Sequence, residues 1–124
     1  MKKIILVTLL GLTVVSGLAS AGEEALDIGD GFALEGFLCK DNPMSGIDYV
    51  QCDGKVVNST AQTAKVGTVA ILYSDKNGGL LDTSTVEMNL DLETGDDMPF
   101  QTQTPKLRMA ELGTIKVEHR AGRG

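Results

Sequence analysis

Few residues of this chain could bind a metal or take part in catalysis. The candidates for a metal site are the methionines and the single histidine. Ten residues separate Met98 from Met109, and His119 follows further along the chain. Thioether and imidazole groups are donors that suit Cu(I). A His-x-Met pair that would complete such a ligand set is missing, because Arg120 and Ala121 follow the histidine. A small copper carrier that uses Met98, Met109 and His119 is therefore an alternative function, not the leading one.

Catalytic chemistry is not indicated by the sequence. Nucleophilic catalysis needs a base held beside the nucleophile, whereas His119 lies near the C-terminal end and is expected to be exposed. A Gly-x-Ser-x-Gly elbow is absent, and Gly78 and Gly79 fall in a predicted hairpin turn instead of a phosphate-binding loop. We therefore expect no catalytic residues, no enzyme activity and no cofactor.

Acidic turns offer a weaker case for calcium. Asp75, Asn77 and Asp82 could supply oxygen ligands around a glycine turn, and residues 96–97 add two more aspartates. Gly79 occupies the fifth position of the loop pattern, where an Asp or Asn is required, and no glutamate closes the loop. We expect these acids to support the turns, and we predict no metal site in the leading interpretation.

The N-terminal residues predict a secretory signal peptide. Residues 1–3 (Met-Lys-Lys) are positively charged, residues 4–15 are largely apolar, and small residues follow at Ala19 and Ala21. The apolar run is shorter than the roughly 20 residues that a membrane-spanning helix needs, which argues against an anchor. We expect cleavage after Ala21 and export to the periplasm or the extracellular space.

The mature chain would be acidic and would form one domain. Residues 22–120 are long enough for a single domain with a modest core, and residues 121–124 are expected to be a flexible tail. Loss of Lys2 and Lys3 leaves 9 of the 11 basic residues against 17 acidic ones, a net charge of −8 by count. Such a surface repels phosphate backbones and anionic lipids. We therefore expect a protein partner, no nucleic acid and no stable membrane anchoring.

Two cysteines, Cys39 and Cys52, follow the predicted cleavage site. An even count in a small exported domain is typical of a disulfide. A metal pair or a redox couple is disfavoured, because C-x-x-C spacing is absent and the chain has one histidine. We predict a Cys39–Cys52 disulfide that ties two neighbouring strands across the loop between them.

Alternating polarity predicts strands along most of the mature chain. In residues 85–93, Val86, Met88, Leu90 and Leu92 alternate with polar side chains, which is the period of a half-buried strand. Residues 66–73 are almost continuously apolar and β-branched, which favours a central strand buried on both faces. The intervening Asn-Gly pair favours a tight hairpin turn, and residues 82–84 could form an irregular join.

Four further segments complete the predicted fold. Residues 32–39, 49–57, 100–104 and 115–118 are candidate strands, and residues 106–112 could hold a short helical turn. Asn58-Ser59-Thr60 matches a glycosylation sequon, but we interpret it as turn chemistry. Six to seven short strands without a long helix predict an all-β fold, an immunoglobulin-like antiparallel β-sandwich, with a small closed barrel as the alternative.

Residues 50–117 also carry a recognisable order of strands and turns. Residues 54–60 (GKVVNST) lead into an apolar strand and turn at residues 69–75 (VAILYSD), followed by Leu-Glu-Thr-Gly at 92–95 and a strand that begins at Phe100. This order resembles the FxLyD-type domain, a small immunoglobulin-like β-sandwich of exported prokaryotic proteins. The resemblance implies that fold and an envelope or extracellular setting, and it implies no catalytic residues.

These observations together favour an exported, non-catalytic interaction or scaffolding module whose ligand the sequence does not identify. Binding would use the loops at one end of a sandwich, or an exposed sheet edge that accepts a partner strand.

Overall fold

The structure, a computed structural model, describes the backbone of residues 5–8 and all of residues 26–121. The predicted cleavage site at Ala21 and residues 122–124 of the predicted tail lie outside these residues. The described elements are β1 (Ile5–Thr8), β2 (Leu26–Gly29), β3 (Phe32–Asp41), β4 (Tyr49–Asn58), β5 (Ala64–Ser74), β6 (Leu80–Leu92), β7 (Asp97–Pro105), a 3-10 helix (Met109–Glu111) and β8 (Thr114–Arg120).

The strands form two antiparallel sheets that face each other across one core. Sheet A has the order β1-β8-β5-β6, and sheet B has the order β2-β3-β4-β7. Every pair of neighbours is antiparallel. The predicted all-β sandwich is therefore confirmed. The chain changes sheet after β1, β4, β6 and β7, so the consecutive strands β2, β3 and β4 lie together in sheet B. An immunoglobulin constant domain instead has its fourth and fifth strands beside the first two.

The alternation of apolar and polar residues correctly indicated which side chains of β6 and β7 face the core. On β6, Val86, Met88 and Leu90 are half-buried and pack against the core, while the residues between them are exposed. On β7, Phe100 and Thr102 are buried and the intervening Gln101 is exposed. Residues 82–84 were expected to be irregular, but they continue β6 without interruption and pair with β5.

A β-bulge in β3 explains a pattern that simple alternation could not resolve. Glu35 pairs with Lys55, and the next paired residue, Leu38, is opposite Asp53. The strand β3 therefore advances by three residues where β4 advances by two. Gly36 takes a positive φ of 63° at this point. The bulge lets Phe37 enter the core alongside Leu34, although the two residues are an odd number of positions apart.

A second register shift separates the two halves of β5. The shift lies between Val66 and Thr68. Strict alternation of side chains along β5 would place Val66 on the same face as Ala70 and Leu72, which is the face directed away from the core. Val66 instead belongs to the core cluster, whereas Leu72 remains half-buried.

The turns differ in type from the predicted ones. In the β5–β6 turn, Asp75 accepts from Gly78 N–H at 3.1 Å, and Gly78 has a positive φ of 89° whereas Asn77 does not. It is a three-residue loop ending in a left-handed glycine and not a two-residue Asn-Gly turn. Two-residue turns with both φ angles positive occur at Asp30-Gly31 and Ser45-Gly46.

Two segments of this fold were not predicted as strands. β2 pairs with β3 through the Asp30-Gly31 turn, and Asp-Gly is itself a strong hairpin signal. β1 lies on the outer edge of β8, with Ile5 opposite Val117 and Thr8 opposite Thr114. Residues 1–21 are predicted to form a leader outside the domain. In the structure, four of those residues extend sheet A. Among the described residues, the structure contains no helix with the length and apolar character of a membrane span.

The predicted disulfide is confirmed. Cys39 and Cys52 are directly opposite each other on β3 and β4, with their Cα atoms 4.0 Å apart, and both side chains lie in the core. The bond joins residues 13 positions apart, so it closes a short loop that contains the whole β3–β4 connection.

Replacing both cysteines (C39A/C52A) should lower the free energy of unfolding by about 3 kcal/mol, because the unfolded chain gains the entropy of an open loop. Urea denaturation of the two proteins measures the loss. Adding reductant to the unmodified protein should lower its stability by a similar amount and leave the variant unchanged. An unaltered transition in C39A/C52A would contradict the stabilising role.

Candidate interaction surface

The histidine that sequence analysis placed at an exposed end is buried. His119 is 1% exposed, because β8 continues to Arg120 and directs this side chain inward in the same alternation as Ile115 and Val117. Its ring lies 4.6 Å from the ring of Phe32, centroid to centroid. The expectation of an exposed terminal histidine was therefore wrong.

Both ring nitrogens of His119 are engaged. The backbone N–H of Gly67 donates to Nε2 at 2.9 Å, and Nδ1 lies 2.8 Å from Oδ2 of Asp30. Since Nε2 accepts a hydrogen bond, the proton of the neutral ring is on Nδ1, which donates to the carboxylate. His119 and Asp30 together have the composition of a catalytic pair. However, Nε2, the nitrogen that would act as a base, already accepts from the backbone N–H of Gly67. The arrangement fixes β8, the β2–β3 turn and β5 to one another.

The proposed copper ligands are not brought together. Met98 lies opposite Val56 on β4, whereas the backbone of Met109 is bound to Asp41, which lies opposite Val50. Six residues of extended strand separate these positions, about 20 Å at the usual rise. Copper binding stays a prediction, and in this fold it lacks the ligand geometry on which it was based.

Other candidate ligands serve the structure of turns. Oδ1 of Asp75 accepts from the N–H groups of Asn77 and Gly79, at 2.8 and 2.9 Å. Within residues 26–121, no three His, Cys, Asp or Glu side chains are grouped so as to hold a metal ion. Asn58 is fully buried: its amide donates to the carbonyls of Gln62 and Leu92, and its oxygen accepts from Thr60. The sequon is turn chemistry, as predicted.

A polar group in the core connects the two sheets near the disulfide. The hydroxyl of Tyr73, on β5, lies 3.4 Å from Sγ of Cys52 and 3.3 Å from Oγ1 of Thr104. A disulfide sulfur carries no hydrogen, so the tyrosine donates to it and accepts from the threonine. Burial raises the pKa of Tyr73 above its ordinary value of 10.0, and the hydrogen bond from Thr104 offsets part of that rise.

The outer face of sheet B carries a ladder of amides whose groups bind one another. Gln51 accepts from Asn42 Nδ2 at 2.6 Å and donates to Asp53 at 3.0 Å, and Gln101 donates to the same carboxylate at 2.8 Å. Although Gln51 points away from the core, it is 8% exposed. The polar groups of Gln51 and Asp53 are therefore largely engaged with their neighbours on this face.

Three connections meet at one end of the sandwich, which we call the loop end: residues 42–48, 75–79 and 106–113. The third connection joins the other two. Lys106 N–H donates to the carbonyl of Asp48 at 2.7 Å, and Gly113 N–H donates to the carbonyl of Ser74 at 2.8 Å. A Cβ on Gly113 would lie 2.6 Å from Cα of Lys76, so glycine is required for this close approach.

Exposed apolar side chains concentrate at or beside the loop end. Within residues 26–121, five large hydrophobic residues are exposed: Leu38, Met44, Ile47, Leu80 and Leu81. Met44 and Ile47 flank the Ser45-Gly46 turn, and Leu80 and Leu81 begin β6 directly after the β5–β6 turn. Leu80, at 60%, is the most exposed of the five. Leu38 alone lies outside this group, on the outer face of sheet B opposite Asp53.

The loop end is held in one conformation by its own hydrogen bonds. Met44 and Ile47 exchange two backbone hydrogen bonds of 2.9 Å each, which fix the hairpin tip. The N–H of Met109 donates to Asp41 at 2.8 Å, and Arg108 lies 4.0 Å from Asp48. Leu107 and Leu112 are buried beneath the connection. Apolar side chains on such a preformed surface lose little conformational entropy when a partner covers them.

This surface was not predicted from the sequence. Met44 and Ile47 lie in the predicted loop between the two cysteines, and Leu80 and Leu81 follow the predicted Asn-Gly hairpin turn. Their location at one end of the sandwich depends on the sheet order, which places the three connections at the same end. An apolar pair at a hairpin tip was the one local signal that could have indicated it.

Comparison with known proteins gives a fold relationship. No family model matches the chain, so the FxLyD resemblance stays a prediction. No curated protein matches it in sequence. Among solved structures it is similar to the Salmonella enterica trimeric lipoprotein SadB, with a TM-score of 0.52 and 13% sequence identity. The similarity covers 88% of this chain and 69% of that one, and it supports the sandwich fold.

Replacing His119 by phenylalanine should destabilise the protein by about 1–3 kcal/mol, because the buried N–H of Gly67 loses its acceptor. Urea denaturation measures the change. Asp30→Asn is the matched control: its amide oxygen can still accept from Nδ1, so its loss should be clearly smaller. Equal losses of unfolding free energy in the two variants would mean that the hydrogen bond to Gly67 is not the main contribution of His119 to stability.

The raised pKa of Tyr73 predicts a loss of stability at alkaline pH. Below pH 10.0 the tyrosine is protonated in both the folded and the unfolded chain. Above that pH the unfolded chain releases the proton first, so the free energy of unfolding falls as the pH rises. Denaturation midpoints from about pH 8 to about pH 11 should fall more steeply in the unmodified protein than in Tyr73→Phe. Parallel curves would contradict this assignment.

Proposed function

We propose that this protein is an exported, non-catalytic interaction module of the cell envelope or extracellular space, and that it binds a protein partner through the loop end. The observation that carries the proposal is the distribution of exposed apolar side chains. Four of the five, namely Met44, Ile47, Leu80 and Leu81, lie at or beside one end. Single exposed hydrophobic residues are ordinary on protein surfaces, whereas a group of them marks a contact site.

The polar groups around these side chains fit a protein partner. The carboxylates of Asp41 and Asp75 accept backbone N–H groups, and Asp48 faces Arg108. Their charge is therefore partly used within the loop end, and they form a polar rim around the apolar side chains. An apolar centre with a polar rim is the usual composition of a protein–protein interface.

Two features support the exported setting. Both cysteines of the chain are joined in a disulfide, which persists in oxidising compartments such as the periplasm or the extracellular space. The leader predicted at residues 1–21 supplies a route to those compartments. SadB, which shares the fold, is a lipoprotein. In the present chain Cys39 and Cys52 are joined to each other, so neither thiol is free to carry a lipid.

Site-specific photocrosslinking in the native envelope tests the proposal. A photoreactive amino acid replaces Ile47, Leu80 or, as the matched control, Leu38, which is exposed but lies outside the loop end. We expect positions 47 and 80 to give the same crosslinked partner and position 38 to give none. Ile47→Ser and Leu80→Ser should each weaken binding of the identified partner about tenfold, the loss of roughly one buried aliphatic side chain.

Two outcomes would contradict the proposal. One is crosslinking from position 38 that equals that from positions 47 and 80. The other is unchanged partner binding in the Ile47→Ser and Leu80→Ser double variant, with its fold verified by circular dichroism and an intact disulfide.

A further inference from the structure

Three of the four edge strands that would remain after removal of the predicted leader are unsuited to pairing with another strand. In sheet B, β2 has four residues and a register shift between Asp27 and Gly29, and β7 contains Pro99 and Pro105. In sheet A, the pairing of β6 with β5 shifts register twice. Short, irregular or proline-containing edges discourage edge-to-edge association.

β8 is different from these three edges. Its seven residues contain no glycine or proline, and its pairing with β5 continues from Thr114 to Arg120 without a shift. In the structure its outer edge already accepts a strand, because β1 pairs with it antiparallel between Thr114 and Val117. Cleavage after Ala21 would remove β1 and leave this regular edge open.

The charges on β8 favour one particular occupant. Its outward side chains include Lys116, Glu118 and Arg120, which alternate with the buried residues of the core. If two copies of β8 pair antiparallel about Val117, each Lys116 faces Glu118 of the second copy, and all seven residues are paired. Shifting the register by two residues in either direction places Lys116 opposite Lys116, or Glu118 opposite Glu118. Opposite charges directly across an antiparallel pair stabilise it, and like charges destabilise it.

We propose that the processed protein forms a two-fold dimer in which β8 pairs antiparallel with β8 of a second copy, centred on Val117. The dimer joins two three-stranded sheets, β8-β5-β6, into one six-stranded sheet. Before processing, β1 covers the same edge and prevents this pairing. The loop ends of the two copies lie outside the pairing edge, so each remains available to its own partner.

A charge-exchange experiment tests the dimer. The full chain is expressed with its own N-terminal segment, and the exported protein is purified and its intact mass measured. Sedimentation equilibrium should give twice the mass of the processed chain. In Lys116→Glu the pair becomes two facing glutamates, and in Glu118→Lys it becomes two facing lysines. Each variant alone should therefore dissociate at least about tenfold more readily.

Mixing the two variants provides a control for folding. In a heterodimer of the two, positions 116 and 118 are both glutamate in one copy and both lysine in the other. Both cross-strand contacts are then attractive, so the heterodimer should form with nearly the original affinity. The double variant K116E/E118K should also dimerise, because its two charges are exchanged within each copy.

Five results would overturn the proposal. Three concern the assembly of the unmodified protein or its single variants: a monomer, a trimer like that of SadB, or single variants that still dimerise. The fourth is a mixture of the two variants that does not form a heterodimer. The fifth is retention of residues 1–21 in the exported protein, because β1 would still cover the edge.

Discussion

The contact between Tyr73 and the opposite sheet sets the alignment of the whole sandwich. A phenol hydroxyl in an apolar core must find partners, because leaving it unpaired would cost about 1–3 kcal/mol. Its partners, Thr104 and Cys52, are on strands of sheet B. Tyr73 lies one residue before Ser74, where β5 ends, and Thr104 lies one residue before the end of β7 at Pro105. The alignment of these two side chains therefore brings the β5–β6 and β7–β8 connections to one end.

At the opposite end of the sandwich, other polar residues form hydrogen bonds between the two sheets. Asn58, on β4, donates to the carbonyl of Leu92 on β6, and His119, on β8, donates to Asp30 in a turn of sheet B. Each bond crosses from one sheet to the other. Hydrogen bonds from buried or partly buried polar groups therefore cross between the sheets at both ends of the sandwich.

The strands were largely predictable, whereas their arrangement was not. Alternation identified β6 and β7 because a half-buried strand repeats every two residues. It could not identify the β-bulge at Gly36, because an extra residue in one strand reverses the face of every later side chain. His119 was misjudged because its position near the C-terminus gave no sign that β5 and the Asp30 turn would cover it. The loop end was missed because Ile47 and Leu80 are distant in sequence, and the sheet order alone places both at the same end of the sandwich.

The surfaces left for binding follow from what the other surfaces already bind. The amides around Gln51 bind one another and Asp53, so a polar ligand would have to break existing hydrogen bonds to bind these residues. After removal of the predicted leader, three of the four sheet edges would resist pairing through short length, register shifts or proline. An apolar loop end and a regular β8 edge would then remain. Their chemistry differs: the first offers apolar contact area, and the second would offer backbone hydrogen bonds with alternating charge. In the proposed assembly, one small domain of this kind therefore contacts a partner and a second copy of itself without competition between the two.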